Sequence, residues 1–283
     1  MKDLFNSKIN YFLIFIIIIF FILYYTNNNE KFITYSDIIN NIDTPSPELI
    51  NNVPTTPSPT ISSLNIIILI IASDERKEYL EMQKIWKKYM NNHKNITCFF
   101  IKSLNSIQQD ILLDYNNNIM YIKNNETFIP GILYKTIKAI EFCINHFEFT
   151  YIYRTNLSSL LDLSKMYNFL NRENINYGGS ILNYNNGINF ASGSGFVLSK
   201  DTSKYLVENN NLLDYNLSDD VSIGNLLSKK YKISDIKRHD IIGLDDHNFV
   251  YDNDIFHFRC KYNSNHSITL DIMNKLYKNI YDK

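Results

Sequence analysis

A mixed α/β fold with a mostly parallel sheet flanked by helices follows from three features of the sequence. The apolar, largely β-branched run from Leu64 to Ala72 reads as a strand buried on both faces. Strand-like and helix-like patterns then alternate along the chain, as they do when helices cover both faces of one sheet. About 220 residues follow the unusual N-terminal region, enough for a single domain.

The 283 residues carry a formal net charge of -1 and no long basic run, so nothing in the charge pattern favours a nucleic-acid partner. Three cysteines, Cys98, Cys143 and Cys260, show no CxxC spacing and read as buried thiols. Five Asn-x-Ser/Thr sequons begin at Asn95, Asn125, Asn156, Asn216 and Asn265. With 40 Asn and 36 Ser plus Thr in the chain, chance alone supplies about five, so they carry no argument.

Residues 1–10 read as a cytoplasmic tail and Tyr11 to Tyr25, fifteen uninterrupted apolar residues, as an uncleaved transmembrane signal anchor. At 1.5 Å per residue this run covers roughly 22 Å, short of the ~30 Å hydrocarbon core unless Phe5 joins it or the bilayer thins. No small-x-small cleavage site follows it. Residues 26–63 hold Pro45, Pro47, Pro54, Pro57 and Pro59 among Ser, Thr and Asn, the composition of a flexible stem.

The head, 64–283, opens with the buried strand. An amphipathic helix over Glu78 to Met90 follows, with Trp86, the only tryptophan. Strands are expected over Ile96 to Lys102 and Ile119 to Lys123. A long helix is expected over Ile129 to Phe147, where Ile132, Ile140, Cys143, Ile144 and Phe147 recur at near-helical spacing. Another strand is expected over Phe149 to Tyr153.

Asn189 to Ser199 contains Ser192-Gly193-Ser194-Gly195. It lacks the Gly-Lys-Ser/Thr ending of a phosphate-binding loop, and reads instead as a tight bend that brings backbone close to a ligand. About 25 residues later, Asp219 and Asp220 open a helix with Ser218 as its expected N-cap. Capping and the helix dipole alone account for such a pair.

Taken in order, Ser192 to Ser199 (Ser-Gly-Ser-Gly-Phe-Val-Leu-Ser), Asp219-Asp220-Val221 with Gly224, Tyr134-Lys135-Thr136 and Trp86 resemble the β-1,3-galactosyltransferase and Fringe-like glycosyltransferases. The resemblance spans about Leu64 to His257 and implies a GT-A fold. It further implies a nucleotide-sugar donor, UDP-linked in that family, and inverting transfer of a hexose to a glycan or glycoprotein hydroxyl. Asp220, then Asp219, are the candidate general bases. Candidate donor-binding residues are Ser73, Arg76, Lys135, Arg154, Thr155, Asn156, Ser158, Gly193, Ser194, Gly195, Arg259 and Lys261.

Where the family carries an Asp-Asp-Asp metal cluster, this chain has Asn156-Leu157-Ser158. Loss of carboxylate charge weakens Mn²⁺ or Mg²⁺ binding. His257 matches the family's C-terminal metal-ligating histidine. If Ile255 to Lys261 is a strand, His257, Arg259 and Lys261 share one face and present cations to a pyrophosphate, with Arg154 as a further partner. The bland alternative is a solvated edge strand.

His93, His146, His239, His247 and His266 show no ligand spacing, and Asp245, Asp246, Asp252 and Asp254 read as loop residues. No hydrolase elbow is present. The implied setting is a single-pass type II protein of Golgi or endoplasmic reticulum membranes, or host secretory membranes for a viral protein. The alternative reading is an inactive relative that binds carbohydrate or protein.

Overall fold

Six of the eight strands in the central sheet run the same way, and one of the two exceptions, the strand that pairs with Tyr151–Asn156, carries part of the candidate site. The computed structural model describes residues 64–184, 187–241, 254–263 and 265–282. The chain divides into two units, Met1–Thr60 and Ile61–Lys283, and every described residue belongs to the second. The expected tail, membrane anchor and stem lie outside the described residues, as do Asp245, Asp246, His247 and Asp252. No helix among the described residues is long and apolar enough to cross a membrane.

In chain order the elements are β1 (Ile66–Ile71), α1 (Lys77–Lys87), β2 (Ile96–Ser103), β3 (Ile111–Asp114), β4 (Ile119–Ile122) and α2 (Gly131–His146). β5 (Tyr151–Asn156), β6 (Ser159–Leu161), α3 (Leu163–Arg172), β7 (Tyr177–Tyr184), β8 (Ile188–Ser199) and α4 (Lys200–Glu208) follow. A 3-10 turn, α5 (Asp219–Leu227), β9 (Ile233–Asp235), β10 (Arg238–Asp240), β11 (His257–Arg259) and α6 (His266–Tyr281) complete the chain. The large sheet has the order β3-β4-β2-β1-β5-β8-β7-β9, with β3 and β8 reversed. A small sheet, β10-β11-β6, stands beside it.

β1 is buried on both faces, as its apolar run requires. Ile66, Ile68 and Ile70 join a core with Trp86, Met166 and Leu276, from α1, α3 and α6. Ile67 and Leu69 join a second core with Leu133, Ile137 and Ile223, from α2 and α5. This alternation is the period of two of an extended chain applied to a strand with helices above and below. Trp86 also anchors the end of β5, its indole N–H donating to the Leu157 carbonyl at 3.0 Å.

Three expectations are corrected. Gly193 and Gly195 lie in β8, one extended strand of 12 residues, and form no tight bend. They are needed for the space a side chain would take, because neighbouring side chains press onto the strand at both positions. The expected cationic strand shortens to His257–Arg259, and His257 is buried together with Phe256, Phe258 and Cys260. Its position under β8 overrides the alternation of a solvated edge. Ser218 precedes α5 without capping it, since its hydroxyl donates to Asp220 Oδ1 instead.

Candidate active site

After β1 the chain moves outward to β2 and β4, then returns to the other side of β1 as β5. Helices diverge at such a reversal, leaving a crevice at the carboxyl ends of the strands, where open α/β sheets bind ligands. A cavity of about 350 Å³ lies at that point. Ile71, Ala72 and Ser73 line it from the end of β1, and Asn156, Leu157 and Ser158 from the end of β5. Glu75, Tyr79 and Met82 come from α1 and its approach, Glu126, Thr127, Phe128 and Ile132 from the approach to α2, and Lys261 and His266 from the C-terminal segment.

Charged side chains support the cavity from behind. Lys135 is fully buried, its ammonium donating to the Ala72 carbonyl at 3.0 Å and to Glu126 Oε1 at 2.6 Å. Burial lowers its pKa, and Glu126 opposes that shift. Arg154 is 2% exposed and donates from Nη1 to Asn156 Oδ1 at 3.0 Å. Its Nη2 lies 2.6 Å from Asp219 Oδ2, within a buried ion pair. That contact is ionic without hydrogen-bond alignment: Asp219 Oδ2 and Arg154 Nε are buried atoms with no hydrogen-bond partner among the described residues. Burial raises the Asp219 pKa while Arg154 opposes it.

β8 carries the second half of the site. Thr155 pairs with Gly195, so Gly193 lies toward the carboxyl end of β5, on the same sheet edge as the cavity. Asp220 reaches the strand there, and Oδ2 accepts from the Gly193 N–H at 2.7 Å. Oδ1 accepts from Ser218 Oγ at 2.8 Å and from the Val221 N–H at 3.0 Å. A Cβ at residue 193 would stand 2.8 Å from Asp220 Oδ2, which is why glycine is required.

Gly195 likewise makes room for His257 and Tyr153. The Ser194 carbonyl accepts from the hydroxyls of Thr155 at 2.7 Å and Ser159 at 3.2 Å. With its proton so committed, Ser159 Oγ must accept from His257 Nε2–H at 3.1 Å, leaving Nδ1 to accept from Tyr153 at 3.0 Å. The imidazole is therefore neutral, and burial, aided by Arg238 and Arg259, pushes its pKa down to about 3. Arg238 closes the seam by donating to the hydroxyls of Ser192 and Ser194 and to both Asp240 oxygens.

The residues at the implied metal position do not fit a divalent cation. Both ring nitrogens of His257 are engaged, and Leu157 offers no side-chain donor atom. Among the described residues no group of three His, Cys, Asp or Glu side chains is placed to hold a metal.

Of the residues singled out in the sequence, Ser73, Asn156, Ser158 and Lys261 line the cavity. Lys135, Arg154 and Thr155 stand behind it, and Gly193, Ser194 and Gly195 form the β8 seam with Asp220. Asp219 is withdrawn against Arg154. Arg76 is exposed over the Tyr79 ring, and Arg259 lies 3.8 Å from Asp240; neither lines the cavity. The sequence reading set His266 aside, yet it lines the cavity edge-on to Tyr79, with ring centroids 5.3 Å apart. Glu126 and Arg238 were missed as well, because the contacts of Glu126 with Lys135 and Ser103, and of Arg238 with Ser192 and Ser194, arise only in the fold.

No family model matches the sequence, and no curated protein matches it. Among solved structures, the chain is similar to an inositol-1-phosphate CTP transferase from T. maritima (10% identity, TM-score 0.44), covering 77% of this chain and 97% of that one. It is also similar to a glycosyltransferase involved in glycosylating the major capsid of PBCV-1 (8% identity, TM-score 0.45), covering 75% and 99%. The glycosyltransferase GlyE of Streptococcus pneumoniae TIGR4 is a further likeness (8% identity, TM-score 0.37), covering 62% and 46%.

Proposed function

We propose that this protein is a glycosyltransferase of the GT-A type, holding a nucleotide-linked hexose in the cavity and transferring it, with inversion, to a glycan or glycoprotein hydroxyl. One observation carries the reading: an open cavity with polar groups at its β5 end lies where the strand order reverses, and Asp220 lies on the same edge of the sheet. An acceptor hydroxyl must lose its proton as it attacks, and we assign that proton to Asp220. Its oxygens accept three hydrogen bonds, leaving about one of roughly four lone-pair positions for a substrate hydroxyl. Asp219, neutralised by Arg154, supports the strand end.

Release of nucleoside diphosphate, followed across a panel of nucleotide sugars, tests the proposal. Asp220→Asn is expected to cut turnover by about 100-fold while donor affinity stays near wild type, with the thermal melt as control for folding. Donor binding without turnover by the wild type would instead support the binding-only reading. We further propose that the apolar run Tyr11 to Tyr25 anchors the chain in secretory membranes with this unit on the luminal side. Retention in the pellet after carbonate extraction is the expected result, and release into the supernatant would sink that proposal.

A further inference from the structure

Asn156 stands where the resemblance puts a carboxylate, and its orientation is fixed by chemistry. The Arg154 guanidinium carries only donors, so the amide atom it meets must be Oδ1, as observed at 3.0 Å. The other amide atom, Nδ2, then has no partner among the described residues, and Asn156 is part of the cavity wall. The side chain therefore offers donors to whatever enters. Arg154 is held in turn by Asp219 and packed over the Phe196 ring at 5.7 Å, so the orientation is locked from behind.

The surroundings share that polarity. Ser158 adds a hydroxyl, and Lys261 is exposed at the wall and forms no ion pair among the described residues. Of the two acids in the lining, Glu126 is already taken, with Lys135 on Oε1 and the Ser103 N–H on Oε2. Glu75 stands exposed on the approach to α1.

We infer that the β5 end of the cavity is an anion subsite, where Asn156 Nδ2, Ser158 and Lys261 bind a diphosphate directly without a bridging cation, and where Arg154 is the positioning residue. This rests on the reading of the cavity as the donor site, and it names the group that such a donor would place at β5. An amide aimed by Arg154 thus substitutes for a metal-bound carboxylate: the sign of the contact is reversed, from cation-binding to anion-binding.

The test is calorimetric titration of the full-length protein with inorganic pyrophosphate and with UDP, in EDTA and in Mn²⁺. Wild type is expected to bind both in EDTA, with little change on adding Mn²⁺. Asn156→Asp keeps an acceptor for Arg154 but turns an anion toward the ligand. It should weaken binding in EDTA by about tenfold or more and recover with Mn²⁺. Asn156→Leu should weaken binding with no such recovery, and thermal melts of both variants report on folding.

Equal affinity of Asn156→Asp and wild type in EDTA would overturn the inference, as would complete loss of wild-type binding on chelation. In either case, wild-type binding of a nucleotide sugar would leave the proposed function standing. Failure to bind pyrophosphate, UDP and every nucleotide sugar would overturn both.

Discussion

The seam along β8 and the cavity between the ends of β1 and β5 share one edge of one sheet, but their polar groups are used differently. In the seam, Asp220, His257, Ser159, Ser194 and Arg238 satisfy one another and the backbone. In the cavity, Asn156, Ser158 and Lys261 turn toward open space. A buried polar network must be nearly complete to be tolerated, because each unsatisfied member keeps its full desolvation cost. A ligand site must be incomplete, because what it lacks is what the ligand supplies. Asp220 is half-buried, with its carboxylate held by the seam.

The sharpest way to break this contrast is to remove a charge from the closed side. Asp219→Asn leaves Arg154, 2% exposed, without its counter-charge. Losing one partner of a buried ion pair typically costs about 3–5 kcal/mol. A fall of that order in unfolding free energy, read from the urea midpoint, is expected. Replacing both residues with apolar ones of similar volume should recover much of it. Unchanged stability in the single variant would mean that water reaches Arg154 and that this buried pair is open to solvent.

The two regions also differ in how legible they were. β1, α1, β2, β4, α2 and β5 followed from apolar periodicity, since burial on two faces leaves a local record. β6, β9 and β10 are strands of three residues whose partners lie well away in sequence, so no local pattern announces them, and β3, though paired with the next strand, is four residues with no fully buried position. Gly193 and Gly195 stood out as a bend, but the chain needs their missing side chains because Asp220 and His257 occupy that space. His257 was grouped with Arg259 and Lys261 by alternation. The strand ends at Arg259, and the three separate into buried neutral, half-buried and exposed. Burial depends on packing against β8, which spacing does not encode.

His257 gives a pH signature to the seam. Unfolded, its imidazole takes up a proton below its ordinary pKa of 6.5; folded, it stays neutral until about 3. Across that window the unfolded chain binds the extra proton, so stability is full above pH 6.5 and declines as pH falls. The slope from this group is about 1.4 kcal/mol per pH unit. His257→Gln removes the titration, and its unfolding free energy should fall less steeply than wild type between pH 6 and 4, by about one proton. Parallel slopes would show that His257 is hydrated and outside the closed network.

The smallest effect on folding is expected on the open side, and there the two measurements should come apart. Lys261 is exposed and bound to nothing in the described structure, so Lys261→Ala should change stability by no more than about 0.5 kcal/mol. If its ammonium meets a phosphate, the same change should weaken UDP binding by about tenfold, most clearly at low salt, where screening is least. Arg76→Ala is the matched comparison, because Arg76 is an exposed cation near the same strand end that does not line the cavity. It should move neither quantity. Equal loss of affinity in both variants would mean that the surface field as a whole attracts the anion, and the division between a satisfied seam and a receptive cavity would then have no bearing on binding.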